Sequence, residues 1–170
     1  MITEFLSEEN IALHKEYVRQ KRLKYSILQS SFPKLCDADV KELFGMRLSR
    51  RDRRDALALL PEIILHDVFF TSFCEEKYER SSLVASLYGS EAAYLNELYK
   101  LAKNSSVGFL IIGRGARFSA VTDYADALRY ERPLLALDLC EHAYFLDYGF
   151  DRERYLVNAL SQLDLKKITL

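Results

Sequence analysis

The sequence contains no tryptophan, and among its 170 residues only three are histidine, three cysteine, three proline and six glycine. The cysteines are widely spaced without a CxxC pair, which predicts neither a disulfide framework nor a structural zinc site, so we expect buried free thiols. No apolar run approaches the roughly 20 residues that cross a bilayer, and the acidic start MITEFLSEEN is unlike a signal peptide. We therefore expect a cytoplasmic protein.

Neither sign of charge is in surplus, because 24 Lys and Arg residues stand against 25 Asp and Glu residues. Binding of nucleic acids and of anionic membranes draws on an excess of Lys and Arg, so neither is an expected partner. The hydrophobic fraction of 49% is typical of a globular chain with a substantial core. A small molecule or a second copy of the chain is the expected partner.

Helix signals fill the first half of the sequence. A serine N-cap, two acids in the first turn and no Gly or Pro predict a helix over residues 7–30. A short helix over residues 37–44 is predicted to end at a glycine. A second long helix is predicted over residues 49–74, with Pro61 kinking or restarting it because proline removes one backbone donor.

The second half changes from helical to strand periodicity. Residues 75–88 are polar and charged, and they mark the expected boundary between two layers. Beyond it we predict helices over residues 91–103 and 151–162 and strands over residues 107–112, 116–122 and 134–139. This order predicts an α+β fold with two domains. Residues 1–75 would form a hairpin of long helices, packed on a three-stranded antiparallel sheet with flanking helices in residues 76–170.

The sharpest local motif is DLCEHAYF, in which Asp138 precedes His142 by four residues at the end of an apolar strand. A buried carboxylate is costly unless a cation compensates its charge. Carboxylate and imidazole ligands together suit iron, manganese or zinc. Taken alone, an Asp and a His four residues apart also occur on protein surfaces, so the motif by itself leaves both interpretations open.

The motif resembles the D-x-W-E-H-A-Y-Y signature of the iron/manganese superoxide dismutases, and the preceding PLLALD is similar as well. The resemblance implies that Asp138 and His142 are two of four metal ligands. In the family the other two are histidines on two N-terminal helices, and the contexts of His14 and His66 resemble them. All three histidines of the chain thus fall at family ligand positions. The implied cofactor is one iron or manganese ion per chain, bound between the two domains.

The resemblance also implies a function, the conversion of superoxide to dioxygen and hydrogen peroxide by an antioxidant enzyme. It further implies a homodimer in which Glu141 reaches His142 of the partner subunit, so that each subunit orients a ligand of the other. An alternative is a metal-binding family member without dismutase activity, acting as a sensor or a dimerisation module.

Departures from the family lie around the metal site. Val18 and Arg22 stand where the family has a His and a Tyr that line the substrate path, and Phe145, after the retained Tyr144, replaces the Tyr that pairs with that His. Val18 and Phe145 lose both partners of one hydrogen bond, so no buried polar group is stranded. Arg22 is either an anion-steering residue or a solvated arginine. The family's Trp positions are Phe70, Phe109 and Cys140.

Glu62 is the second expected catalytic residue beside Arg22. Iron-type members carry a Gln four residues before the second His ligand, and Glu62 stands there, whereas Ala125 occupies the manganese-type position. A protonated Glu62 could donate a hydrogen bond as the Gln does, because desolvation raises a carboxyl pKa. An ionised Glu62 would instead approach the metal as a fifth protein ligand. We expect the second state, since the charge of a nearby metal ion outweighs desolvation.

Overall fold

Two long helices open the fold, and short helices around a small sheet complete it, in a computed structural model that describes residues 1–74 and 81–170. In chain order the helices are α1 (Glu8–Ser31), α2 (Val40–Gly45), α3 (Arg50–Phe70), α4 (Ser82–Tyr88), α5 (Glu91–Asn104), α6 (Tyr124–Leu128), α7 (Phe145–Tyr148) and α8 (Arg152–Ser161), and the strands are β1 (Phe109–Ile112), β2 (Phe118–Val121) and β3 (Leu135–Asp138). Within the described ranges, every helix is too short or too polar to span a membrane.

Helix α1 begins where the sequence predicts it. The Ser7 side chain accepts a hydrogen bond from the Asn10 backbone N–H, which satisfies one of the free donors of the first turn. Its buried side chains recur every three, four or seven residues, so they form one stripe that faces the interior. These buried residues are Asn10, Ile11, His14, Val18 and Tyr25.

Helix α3 is continuous from Arg50 to Phe70 although Pro61 lies inside it. Of the two alternatives predicted at Pro61, the restart is therefore wrong and the kink stays a prediction, and the predicted end at Cys74 is wrong. Proline removes one intrahelical hydrogen bond and crowds the preceding turn. Pro61 and its neighbours Ile63 and Leu65 are all buried, so packing of this face offsets that cost.

A small apolar cluster joins the three N-terminal helices. It contains the buried side chains of Tyr25, Leu35, Leu43, Ala56 and Ile63. The Tyr25 hydroxyl donates to the Leu35 backbone carbonyl, which gives its buried polar end a partner. The cluster fixes the long helices against each other near the loop that connects them.

The sheet is antiparallel in the order β2-β1-β3. In its register Phe109 of the central strand lies opposite both Val121 and Asp138. All four residues of β3 are buried although β3 is an edge strand, which places Asp138 at the buried end of that strand. The Asp138 carboxylate therefore lies in the protein interior, at the end of β3.

Hydrogen bonds of the Ser72 side chain and of the backbone fasten the end of α3 to the C-terminal region. The Ser72 hydroxyl donates to the Val68 carbonyl at 2.7 Å and accepts from the Ala136 N–H of β3 at 2.8 Å. The Asp164 N–H donates to the Ser72 carbonyl at 2.9 Å, and Phe73 forms a β-bridge with Leu163. These contacts hold His66, which lies on α3, near the end of β3.

The predicted α+β fold is confirmed: a long-helix pair packs on a three-stranded antiparallel sheet flanked by helices. The three short helices α4, α6 and α7 were not predicted. The expected boundary between residues 75 and 76 lies outside the described residues, so the division into two domains stays a prediction. Cys36 is exposed, against the expectation of a buried thiol, while Cys74 and Cys140 are half-buried.

Candidate metal centre

Four separate elements bring the predicted ligands together. His14 lies on α1, His66 on α3, Asp138 at the end of β3, and His142 in the single helical turn Glu141–Ala143 that follows β3. One potential ligand atom from each lies within 4.8 Å of those of the other three. Residues far apart in sequence therefore converge at one point between the long helices and the sheet.

The Asp138 Oδ2 atom is the centre of this cluster. It lies 3.3 Å from His14 Nε2, 3.3 Å from His66 Nε2 and 2.9 Å from His142 Nε2. The Nε2 atoms of His66 and His142 are 3.4 Å apart. The Nε2 atoms of all three imidazoles thus converge on one point, where a single metal ion could contact them.

Burial leaves several of these atoms without partners. His14 and His66 are 1% exposed and Asp138 is fully buried, whereas the His142 side chain is 31% exposed. Both ring nitrogens of His14 and the Oδ2 atom of Asp138 form no hydrogen bond of good geometry, although His14 Nε2 and Oδ2 are only 3.3 Å apart. Unpartnered buried polar atoms are costly. A cation bound among them would remove this cost, so the donor set fits iron or manganese.

Surrounding groups fix the direction of two ligands. His66 Nδ1 lies 2.7 Å from the Glu62 backbone carbonyl, so Nδ1–H donates there and Nε2 keeps its lone pair for a metal. The other carboxylate oxygen of Asp138, Oδ1, accepts from the Cys140 N–H at 2.8 Å. The Tyr155 hydroxyl donates to the Asp138 backbone carbonyl at 2.7 Å. These bonds hold Nε2 and Oδ2 in place before any ion binds.

The protonation states suit metal binding as well. Burial lowers the pKa of His14, which favours the neutral imidazole that a metal requires. Burial alone would raise the pKa of Asp138, but the imidazoles of His14, His142 and His66 together hold it well below its usual range. These shifts favour a neutral imidazole at His14 and an ionised carboxylate at Asp138.

Aromatic rings surround the ligands on the inner side. The ring centroids of Phe69 and Phe70 lie 5.0 Å and 5.1 Å from that of His14, and Phe109 lies 5.1 Å from His66. Phe70 and Phe109 occupy positions where the family resemblance implied Trp. An apolar shell of this kind restricts water and lowers the local dielectric constant, which strengthens a charged site.

Cys140, at the third such position, is half-buried beside Asp138. Its Sγ atom accepts a hydrogen bond from the Gly108 N–H at 3.3 Å. Burial raises the pKa of the thiol to about 11, and the charge of Asp138 adds to this shift. Cys140 therefore stays protonated at neutral pH and supplies no charged ligand.

Tyr17 belongs to the site although the sequence reasoning missed it. Its ring stacks on His142 with centroids 4.4 Å apart, and its hydroxyl donates to Glu62 Oε1 at 2.6 Å. Burial raises its pKa, and the bond to Glu62 raises it further, so the phenol keeps its proton. Its position three residues after His14 was a usable signal, because such residues share a helix face.

The two predicted catalytic residues lie outside the group of four ligands. The Glu62 carboxylate contacts the Tyr17 hydroxyl through Oε1 and Lys21 Nζ through Oε2. Arg22 is exposed and forms an ion pair with Asp67 of α3. The role of Arg22 in anion steering stays a prediction. The role of Glu62 as a fifth ligand also stays a prediction.

The remaining predicted residues lie on either side of the ligands. Val18 is buried, and Tyr144 is buried with its ring stacked on Tyr155 at 4.7 Å. Glu141 is exposed, and Phe145 is exposed next to the solvent-facing ring of Phe150. Glu141 and Phe145 therefore belong to the same exposed surface as His142.

Comparison with known families gives a match to the C-terminal part of the chain. The family model described as iron/manganese superoxide dismutases, C-terminal domain, matches residues 77–169. The match covers more than half of the 170 residues and includes Asp138 and His142, whereas His14 and His66 precede it. Comparison with curated proteins gave no match.

Proposed function

Because the chain belongs to the iron/manganese superoxide dismutase family, we propose that it converts superoxide to dioxygen and hydrogen peroxide. The site would be a single iron or manganese ion bound by His14, His66, Asp138 and His142. The observation that carries this proposal is the convergence of these four side chains within 4.8 Å, with buried atoms that lack any other partner.

A bound iron or manganese ion would supply one-electron redox chemistry, by which one superoxide is oxidised to dioxygen and a second, with two protons from solvent, is reduced to hydrogen peroxide. The chain's own contribution is a fixed donor set. The Glu62 carbonyl orients His66, and the Cys140 N–H orients Asp138. One carboxylate among neutral imidazoles lowers the charge of the ion by one unit, which leaves it attractive to an anion.

Access to the site is proposed to lie beside His142, since the other three ligands are buried. The Tyr17 ring covers part of this side by stacking on His142. The opening would admit a small anion and exclude larger molecules. The Tyr17 hydroxyl holds its proton in a bond to Glu62, which keeps the ring in this position.

We propose in addition that the chain forms a homodimer in which Glu141 reaches His142 of the partner subunit. Glu141 is exposed beside the half-exposed His142, and the exposed rings of Phe145 and Phe150 lie on the same segment. Residues 1–75 and 76–170 are proposed as the two domains of each subunit, with the metal between them.

A second candidate function is metal binding without dismutase activity, in a sensor or a dimerisation module. The observation that favours it is the loss of the family's substrate-path residues, since Val18 is an apolar core residue and Arg22 pairs with Asp67. Both functions require the same metal site.

The experiment that separates the two functions is a superoxide-consumption assay on protein purified from iron-supplemented and manganese-supplemented cells. We expect the rate to rise in proportion to bound metal, with metal-free protein and His66→Ala as controls. Stoichiometric metal without turnover would support the second function. Absence of stoichiometric metal under both conditions would reject both.

A further inference from the structure

Lys21 lies on α1 beyond Tyr17 and contacts two residues of the metal surroundings. Its Nζ atom is 2.9 Å from Glu62 Oε2 and lies over the Tyr17 ring, 4.9 Å from the centroid. The Lys21 and Glu62 side chains are only 24% and 13% exposed, so solvent screens this ion pair weakly. Neither family resemblance nor sequence motif pointed to Lys21.

The three side chains form a closed unit. Tyr17 Oη donates to one oxygen of Glu62, Lys21 Nζ contacts the other oxygen, and the ammonium group lies over the Tyr17 ring. The opposite contact of Tyr17 is the stacked ring of His142, 4.4 Å away. The unit therefore joins α1 to α3. It lies against His142, which is the exposed residue among the four candidate ligands.

The role of this unit depends on how the negative charge of Glu62 is compensated. Glu62 precedes His66 by four residues on α3, so it lies on the same helix face as a ligand. Removing one member of a partly buried ion pair leaves the other charge without compensation, which is costly. Without Lys21, a metal ion at the four-residue site would offer the Glu62 carboxylate a compensating positive charge on the helix face that carries His66.

We propose that Lys21 is a positioning residue that holds Glu62 against Tyr17 and keeps Glu62 out of the metal's ligand set. The inference rests on the proposed metal site and gives Glu62 a role different from the fifth ligand expected from the sequence. Both Glu62 oxygens are already in contact with Tyr17 and Lys21. The protein would then contribute four ligands and no more.

The first test compares the absorption and electron paramagnetic resonance spectra of metal-loaded variants. Lys21→Met should change the ligand-field spectrum at unchanged metal content, because the released carboxylate binds the ion. Lys21→Arg should restore the wild-type spectrum, and Lys24→Met, at an exposed position of the same helix, should not alter it. The double variant Lys21→Met/Glu62→Gln should match Glu62→Gln alone, since the amide is a poor ligand.

A Lys21→Met spectrum identical to wild type at equal metal content would overturn the inference and leave the proposed function standing. Wild-type protein without stoichiometric metal would overturn the proposed function and the inference together. If Lys21→Met does not fold, Lys21→Gln provides the same comparison with a smaller change in polarity.

The second test needs no metal. Thermal unfolding of metal-free wild type, Lys21→Met, Glu62→Gln and the double variant forms a double-mutant cycle. We expect the double variant to lose less stability than the sum of the two single losses. Each single variant already removes the same Lys21–Glu62 contact, which can be lost only once. Strictly additive losses would show that Lys21 does not hold Glu62.

Discussion

At the scale of single residues, the site depends on which ring nitrogen each histidine presents. His66 donates from Nδ1 to the Glu62 carbonyl, so its Nε2 atom is committed to the cluster. His14 has no such contact on either nitrogen and is enclosed by aromatic rings. Its position is set by packing on α1, and a bound ion would be its polar partner.

Replacement of His66 or Asp138 by Ala should abolish stoichiometric metal binding. Loss of a ligand should exceed the roughly 10- to 100-fold loss in affinity that follows removal of a group supporting a ligand. Elemental analysis measures metal content, and circular dichroism should show that the helices remain. Glu97→Ala, on the exposed face of α5, is the matched control. Wild-type occupancy in either variant would refute the assignment of that ligand.

The metal-free protein should lose stability as the pH falls through 6.5. Burial lowers the pKa of folded His14 below its ordinary value of 6.5, so the unfolded state takes up a proton that folded His14 does not bind. The free energy of unfolding therefore decreases as the pH is lowered through this range. Urea unfolding of chelator-treated protein at several pH values measures this. An unchanged slope in His14→Gln would contradict this source of the effect.

The convergence of the four candidate ligands could be predicted from the sequence because each has a neighbouring motif, and the structure brings their donor atoms together. Tyr17 was missed because the family pattern directs attention to the positions of Val18 and Arg22. Lys21 could not be assigned to Glu62, because an ion pair across 41 positions depends on how two helices pack. Local spacing carries no information about that packing.

At the scale of elements, length determined what could be predicted. Helices α1, α3 and α5 were predicted because they span several turns with one apolar face. Helices α6 and α7 have five and four residues. Such short segments do not show the 3.6-residue repeat of apolar positions by which a helix is predicted from sequence. The continuity of α3 through Pro61 was missed because burial of this face, which only the fold provides, offsets the lost hydrogen bond.

Gly108→Ala should destabilise the protein by more than about 1 kcal/mol. Gly108 has φ of +94°, and an added Cβ would lie 2.1 Å from the backbone oxygen of Val121 on the neighbouring strand. Its N–H also donates to Cys140 next to the ligands. Chemical unfolding measures the loss, with Gly45→Ala as control because nothing lies within 4 Å of a Cβ there. Equal stabilities of the two variants would contradict this explanation.

At the scale of the whole molecule, the proposed metal site lies where the long helices meet the C-terminal region. Two candidate ligands come from α1 and α3, one ends the last strand and one follows it. Contacts from Ser72 to Ala136 and to Asp164 join these regions without a metal. The fold should therefore form before the ion binds, and ion binding should stabilise it further.

Glu141→Ala should weaken the proposed homodimer and change activity in the same variant. The carboxylate is exposed beside His142, so a partner subunit can reach both. Sedimentation velocity measures association and the superoxide assay measures activity, each at matched metal content. Unchanged sedimentation together with unchanged activity would remove the proposed contact between subunits.

The proposed function depends on one iron or manganese ion bound by His14, His66, Asp138 and His142, whose donor atoms converge. The most direct measurement is elemental analysis of the wild-type protein and of Asp138→Ala, both purified from metal-replete cells and exchanged into metal-free buffer. We predict about one iron or manganese ion per wild-type chain and almost none in the variant, because Asp138 Oδ2 is the point on which the three imidazoles converge. Equal metal content in the two proteins, or none in the wild type, would contradict the claim.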